Sequence, residues 1–207
     1  MRSDFLAILK KILEYIKKIQ YNSPVILTYA LVSLAVLGIS ALTDGQSNLL
    51  LFSVYRASWS DPLAYIRVIT YALGHMHIQH YFNNFLLILL VGPLLEERYG
   101  SKKLLIMIGA TSLITGIAFL LIGPSNTAGL GASGVAFMLI LLASVTNAAK
   151  GRLPLTLLFA LAVYVGAEVF NEVRPNETGI SHVSHIIGGL CGAAFGLFLG
   201  KERDKKS

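Results

Sequence analysis

The chain has 207 residues, of which 55% are apolar and only 14% charged, and its mean hydropathy is +0.67. A soluble domain carries about 25% charged residues, so the composition excludes an ordinary soluble fold and points to a protein housed in lipid. The net charge of +6 fits loops facing anionic lipid rather than nucleic acid, and the single cysteine, Cys191, has no internal disulfide partner and reads as a small packing residue.

Residues 1–22 place Phe5, Ile8, Leu9, Ile12, Ile16 and Ile19 at helical spacing, with Lys10, Lys11, Lys17 and Lys18 between them. This pattern reads as an amphipathic cytoplasmic segment lying on the membrane surface, and not as a cleavable signal peptide. Six spanning helices are predicted next, over Pro24–Leu42, His80–Leu95, Leu104–Ile122, Ala132–Ala149, Leu153–Val169 and His182–Leu199. The connection from Asp44 to Gln79 is too apolar for a plain loop. Leu49–Val54 and Pro62–Leu73 are expected to form short helices half-sunk in the interface, with Trp59 and the tyrosines at headgroup level. No linker divides residues 23–200, which read as one membrane domain, and 201–207 form a basic cytoplasmic tail.

Orientation follows from the basic residues. Only Arg56, Arg67 and Arg174 of the 17 Lys and Arg fall on one side of this topology. The rest, from Arg2 to Lys206, mark the cytoplasmic side. The expected fold is therefore an all-α polytopic membrane protein with six transmembrane helices and both termini in the cytoplasm. The second, fourth and sixth helices then start at the outer face. Their first turns carry His80 and Asn84, Gly131-Ala132-Ser133-Gly134, and His182 with His185. Polar groups in a bilayer are costly and face a bundle interior or a watery cavity. Three helices bring them to one depth.

The residue types point to acyl transfer. A serine hydroxyl becomes a nucleophile when a histidine takes its proton. Ser133 sits where a helix starts, so unpaired backbone N–H groups lie beside it and can stabilise an oxyanion. His80 and Asn84, four residues apart, share a helix face. Gly188, Gly192 and Gly196 form a stripe on the face that carries His185, which lets another helix backbone approach closely. His182 lies only three residues before His185, and spacing does not choose between them as base. His75 and His77 read as loop-packing residues. No carboxylate or cysteine joins them in a metal-ligand pattern, so no metal and no cofactor is expected.

These pieces resemble, in order, those of the rhomboid intramembrane serine proteases of the bacterial six-helix type. His80-Tyr81-Phe82-Asn83-Asn84 matches the family's His-x-x-x-Asn, and Gly131-Ala132-Ser133-Gly134 its Gly-x-Ser-Gly. His185-Ile186-Ile187-Gly188 with Gly192 matches His-x-x-Gly-x-x-x-Gly, and Glu96-Glu97-Arg98 matches Glu-x-Arg. Arg67 stands where the family often has Trp-Arg, with Ile66 in place of the tryptophan. The resemblance runs from about Asp44 to Gly196. It implies Ser133 as nucleophile, His185 rather than His182 as base, and His80, Asn84 and the Ser133 N–H as the oxyanion site. Phe137 takes the place of a tyrosine that stacks on the base, and Ser184 that of an alanine. Arg67, Glu96, Arg98, Gly131, Gly134, Gly188 and Gly192 are implied to be structural, with Glu96 and Arg98 pairing with the first loop or with each other.

The expected function is hydrolysis of peptide bonds in or near transmembrane segments by a Ser–His dyad through an acyl-enzyme. The site would open to the extracytoplasmic side of a plasma membrane, with residues 171–181 as rim or lid. The partners expected are transmembrane substrates and the bilayer, and no nucleic acid. The sequence does not address oligomeric state. An inactive rhomboid-like client binder shares the fold, but only chemistry needs both Ser133 and His185. A histidine-relay channel would need ionisable residues through the full membrane depth, whereas the cytoplasmic halves of these helices are apolar.

Overall fold

A computed structural model describes residues 20–58, 60–123, 127–148 and 181–204, with Leu155, Leu158, Phe159, Ala162 and Gly166 as isolated helical positions in between. Residues 1–19, Trp59, most of the predicted span Leu153–Val169, the stretch 171–180 and residues 205–207 lie outside the described residues. The described elements are α1 (Pro24–Leu42), α2 (Gln46–Leu51), α3 (Pro62–Thr70), a 3-10 turn (Tyr71–Leu73), α4 (Ile78–Tyr99), α5 (Ser101–Ile122), α6 (Ser133–Ala148) and α7 (Ser181–Asp204). Among the described residues, the one extended pairing is the isolated bridge Val54–Gly129.

α1, α4 and α5 are long and apolar enough to cross a membrane, and α6 and α7 hold shorter apolar stretches, Ser133–Thr146 and Ser184–Leu199. α1 has the predicted bounds. α4, α5 and α7 run past theirs, because backbone hydrogen bonding continues through charged residues where hydropathy stops. At the start of α4 the His77 imidazole accepts a hydrogen bond from the His80 N–H and fixes the helix two residues early.

The N-terminus of α1 is closed from the other side of the bundle. Pro24 brings no N–H, which suits the first helical position. The next two donors, Val25 N and Ile26 N, give hydrogen bonds of 2.9 and 3.1 Å to the two carboxylate oxygens of Glu96. Ser101 Oγ donates to the same carboxylate at 2.7 Å. Glu96 is buried. Beyond the expected partners, the first loop or Arg98, the carboxylate caps α1: an anion is well placed against unpaired helix N–H groups, and α1 offers two. The Arg98 guanidinium lies over the Tyr99 ring at 5.8 Å. Glu96→Gln puts an NH2 against one of those donors. It is expected to cost about 1–3 kcal/mol, read as a lower thermal midpoint in micelles, with Glu96→Asp intermediate.

The connection between α1 and α4 is built on Arg67. Its side chain is 2% exposed, ion-paired with Asp61, donates to Leu50 O at 3.3 Å, and lies 4.3 Å over the Tyr55 ring. Asp61 also caps α3 by accepting from Leu63 N at 2.9 Å. The Arg67 guanidinium holds the Asp61 carboxyl below the usual carboxylate range, against a smaller upward push from desolvation. A buried cation tolerates lipid depth only when paired and hydrogen-bonded in this way. The connection docks on α5 at Gly116, where an added Cβ would sit 2.0 Å from Val68 O.

α6 is the centre of the bundle. From Ala132 to Ala143 every residue is buried except Ser133 and Leu141, which are half-buried. It touches α4, α5 and α7. It is described from Ser133 to Ala148.

Candidate active site

The approach to α6 is pinned before the helix begins. Gly129 pairs with Val54 through two hydrogen bonds of 2.8 Å, and Gly131 N donates to Tyr71 O at 3.0 Å. Gly131 has φ +126°, a conformation that disfavours any side chain, and a Cβ there would lie 2.8 Å from His80 Nε2 and 3.7 Å from Asn84 Nδ2. The glycine therefore lets the backbone just before Ser133 lie directly against His80 and Asn84. Asn84 is buried, with its amide donating to His80 O at 3.1 Å.

Ser133 opens α6, so its own N–H and those of Gly134 and Val135 precede the first helical bond, which Ala136 N makes to Ala132 O at 2.9 Å. The other wall is α7. A Cβ on Gly188 would fall 2.1 Å from Gly134 O, and one on Gly192 would fall 2.2 Å from Met138 O. Gly196 faces Val145 in the same line. The two backbones touch along this stripe, which is the closest form of helix contact. One turn before Gly188, the buried His185 ring stacks on Phe137, with centroids 4.3 Å apart and planes at 16°. Phe137 is seated on Leu87 of α4 and Ile140. The side chain of His182 lies outside the described residues.

The structure thus brings Ser133, His80, Asn84, Gly131, Gly134, Phe137, His185 and Gly188 into one neighbourhood at one end of α6. Arg67 holds the first loop, and Glu96 and Arg98 lie at the far end of α4. Among the described residues no group of His, Cys, Asp and Glu is arranged to hold a metal ion.

His75, expected to be a loop-packing residue, also reaches the site. Its side chain is fully buried; Nδ1 bonds Leu73 O at 3.2 Å, Asn48 Nδ2 holds its carbonyl at 2.9 Å, and its ring meets the His80 ring edge-on with centroids 5.0 Å apart. The signal available was its place five residues before His80. Burial, with the neighbouring His80 adding to it, pushes the His75 pKa down to about 3. The folded state therefore disfavours the proton that an unfolded histidine takes up near pH 6.5. Stability is complete above that pH and falls as pH drops towards 3, by at most about 1.4 kcal/mol per pH unit from this group. Thermal midpoints in micelles at pH 7 and 4.5 should differ, and His75→Phe should shrink the difference.

Fold and site define a helical membrane protein in which a serine at a helix start, a histidine on the adjoining helix and a His–Asn pair converge. A family model described as the Rhomboid domain matches residues 62–202, more than half of the chain. The chain belongs to the rhomboid family, a group of intramembrane serine proteases and inactive relatives. A search of curated proteins returned no match.

Proposed function

We propose that the chain is an active intramembrane serine protease of the six-helix type, with both termini cytoplasmic and the site open to the outer face of a plasma membrane. In this reading residues 23–200 form the protease, residues 1–22 an amphipathic cytoplasmic segment and 201–207 a basic tail. The observation that carries the reading is the contact of Gly188 with the Gly134 backbone. It sets the His185 turn against the Ser133 turn, with the base held by the Phe137 ring.

The chemistry follows from these places. Ser133 Oγ attacks the scissile carbonyl as His185 takes its proton. The oxyanion accepts hydrogen bonds from the Ser133 N–H and from the His80 and Asn84 side chains. His185 then protonates the departing amine, and water, activated by the same imidazole, hydrolyses the acyl-enzyme. The substrate is a transmembrane segment arriving sideways from lipid. Helix-breaking residues favour its cleavage, because a scissile bond must leave its helix to reach Ser133.

The test is a fluorophosphonate probe, which adds its phosphonyl group to an activated serine with loss of fluoride. The purified protein is expected to gain one adduct, mapped by mass spectrometry to Ser133, and to cleave a model transmembrane substrate. Cleavage with no adduct, or an adduct on another serine, would sink the dyad.

A further inference from the structure

We propose that the amide pair of the exposed Gln79 and the half-buried Asn83 on α4 is a hydrogen-bonding rim that receives the unwound backbone of a substrate segment on its way to Ser133. This rests on the protease reading above. Gln79 Nε2 donates to Asn83 Oδ1 at 2.8 Å on the exposed side of the helix.

Position makes the pair informative. Successive residues turn about 100° around a helix, so Asn83 points about 60° from His80 and lies between it and the outward stripe of Leu86 and Leu90. Those two leucines are 72% and 61% exposed, as a lipid-facing stripe should be. On the far side of Asn83 is Leu87, buried against Phe137, which stacks on His185. The opposite face of α4 is closed by α1, to which Tyr81 OH donates at Ala30 O, 3.0 Å. Among the described residues the pair therefore borders the exposed side of α4, at the level of His80 and Asn84 along the helix.

Two amides at a lipid-facing edge are costly unless they meet partners. At rest they satisfy each other in part. A substrate helix that opens near the site exposes N–H and C=O groups that lipid cannot satisfy. Side-chain amides carry both donors and acceptors, so Gln79 and Asn83 can exchange their mutual bond for bonds to that backbone without regard to substrate side chains. The rim lowers the cost of unwinding at the place where unwinding is needed.

The experiment compares the unsubstituted protein with Asn83→Leu and with Gln79→Leu/Asn83→Leu in liposomes. Two readouts are used: cleavage of a model transmembrane substrate, and the rate of Ser133 labelling by a small fluorophosphonate, which needs no unwinding. Asn83→Leu is expected to lower kcat/KM for the transmembrane substrate by about tenfold, the equivalent of one lost hydrogen bond, with labelling unchanged. Asn83→Gln, which keeps the amide, should recover most of the rate. An unchanged kcat/KM in the double variant overturns the inference alone, as does a parallel fall in labelling, which signals a distorted site. An unsubstituted protein that neither labels nor cleaves overturns the inference together with the protease reading.

Discussion

Ser133→Ala is expected to reduce cleavage of a transmembrane substrate to background, and His185→Ala to do the same. In soluble serine proteases, loss of the nucleophile or the base costs on the order of 10^6 in kcat, and the losses do not add. The same logic applies to a dyad whose members act on one proton. The double variant Ser133→Ala/His185→Ala should therefore be no slower than either single one. Both variants should fold, because alanine suits a helix start at residue 133 and the glycine stripe, rather than the His185 ring, sets the α6–α7 contact. Detergent-solubilised protein and a fluorogenic substrate are sufficient. Wild-type cleavage by Ser133→Ala rejects the mechanism, and activity lost in His182→Ala but kept in His185→Ala rejects the base.

Gly188→Ala is expected to be nearly as damaging, for a geometric reason. Its new Cβ would stand 2.1 Å from Gly134 O and 2.8 Å from Gly134 C. Both are backbone atoms of a buried helix and have no rotamer to adopt. A carbon–oxygen contact relaxes only near 3.3–3.6 Å, so α7 must move away from α6 by about 1 Å. A displacement of that size in a reacting pair costs roughly 100-fold, and overpacking of this kind costs about 1–3 kcal/mol of stability. Cleavage should fall about 100-fold while the protein remains helical by circular dichroism, with a lowered thermal midpoint. Gly109→Ala is the control: nothing lies within 4 Å of its Cβ position, and its rate should match wild type. Equal rates in the two variants would show that the close contact does not matter to the chemistry.

Much of the helical framework was legible in the sequence, because the cost of exposing backbone to lipid forces long apolar runs into helices. α1 is read to the residue, and α3 with its 3-10 turn falls at Pro62–Leu73, whereas α2 is Gln46–Leu51, three residues before the expected Leu49–Val54, because Val54 is drawn into the bridge to Gly129. Charge placement puts His80, Asn84, Ser133, His182 and His185 at one expected depth, and only the resemblance to the family separates His185 from His182. Pairings between distant residues were not legible. Nothing in spacing links Glu96 to Val25 and Ile26, because such a carboxylate serves whichever unpaired N–H groups the tertiary fold brings to it. Asp61-Pro62 does carry a helix-start signature. That Asp61 also neutralises Arg67 depends on the α3 turn placing the guanidinium over its own cap. The edge-on contact of His75 with His80 is likewise set by the bend between the 3-10 turn and α4, which has no sequence period.

The tie between Glu96 and the start of α1 has a consequence for biogenesis. Some seventy residues separate the two partners, and a ribosome adds about 5–20 residues per second. During the seconds before Glu96 emerges, α1 sits in the bilayer with two open N–H groups and no fixed neighbour at that end. Tyr29 OH reaches Ala72 O earlier in the chain, but the first turn of α1 is fixed only when the α4–α5 hairpin has been made. A translation-arrest series scored by cross-linking between residues 25 and 96 would see that attachment appear only once α5 has left the tunnel.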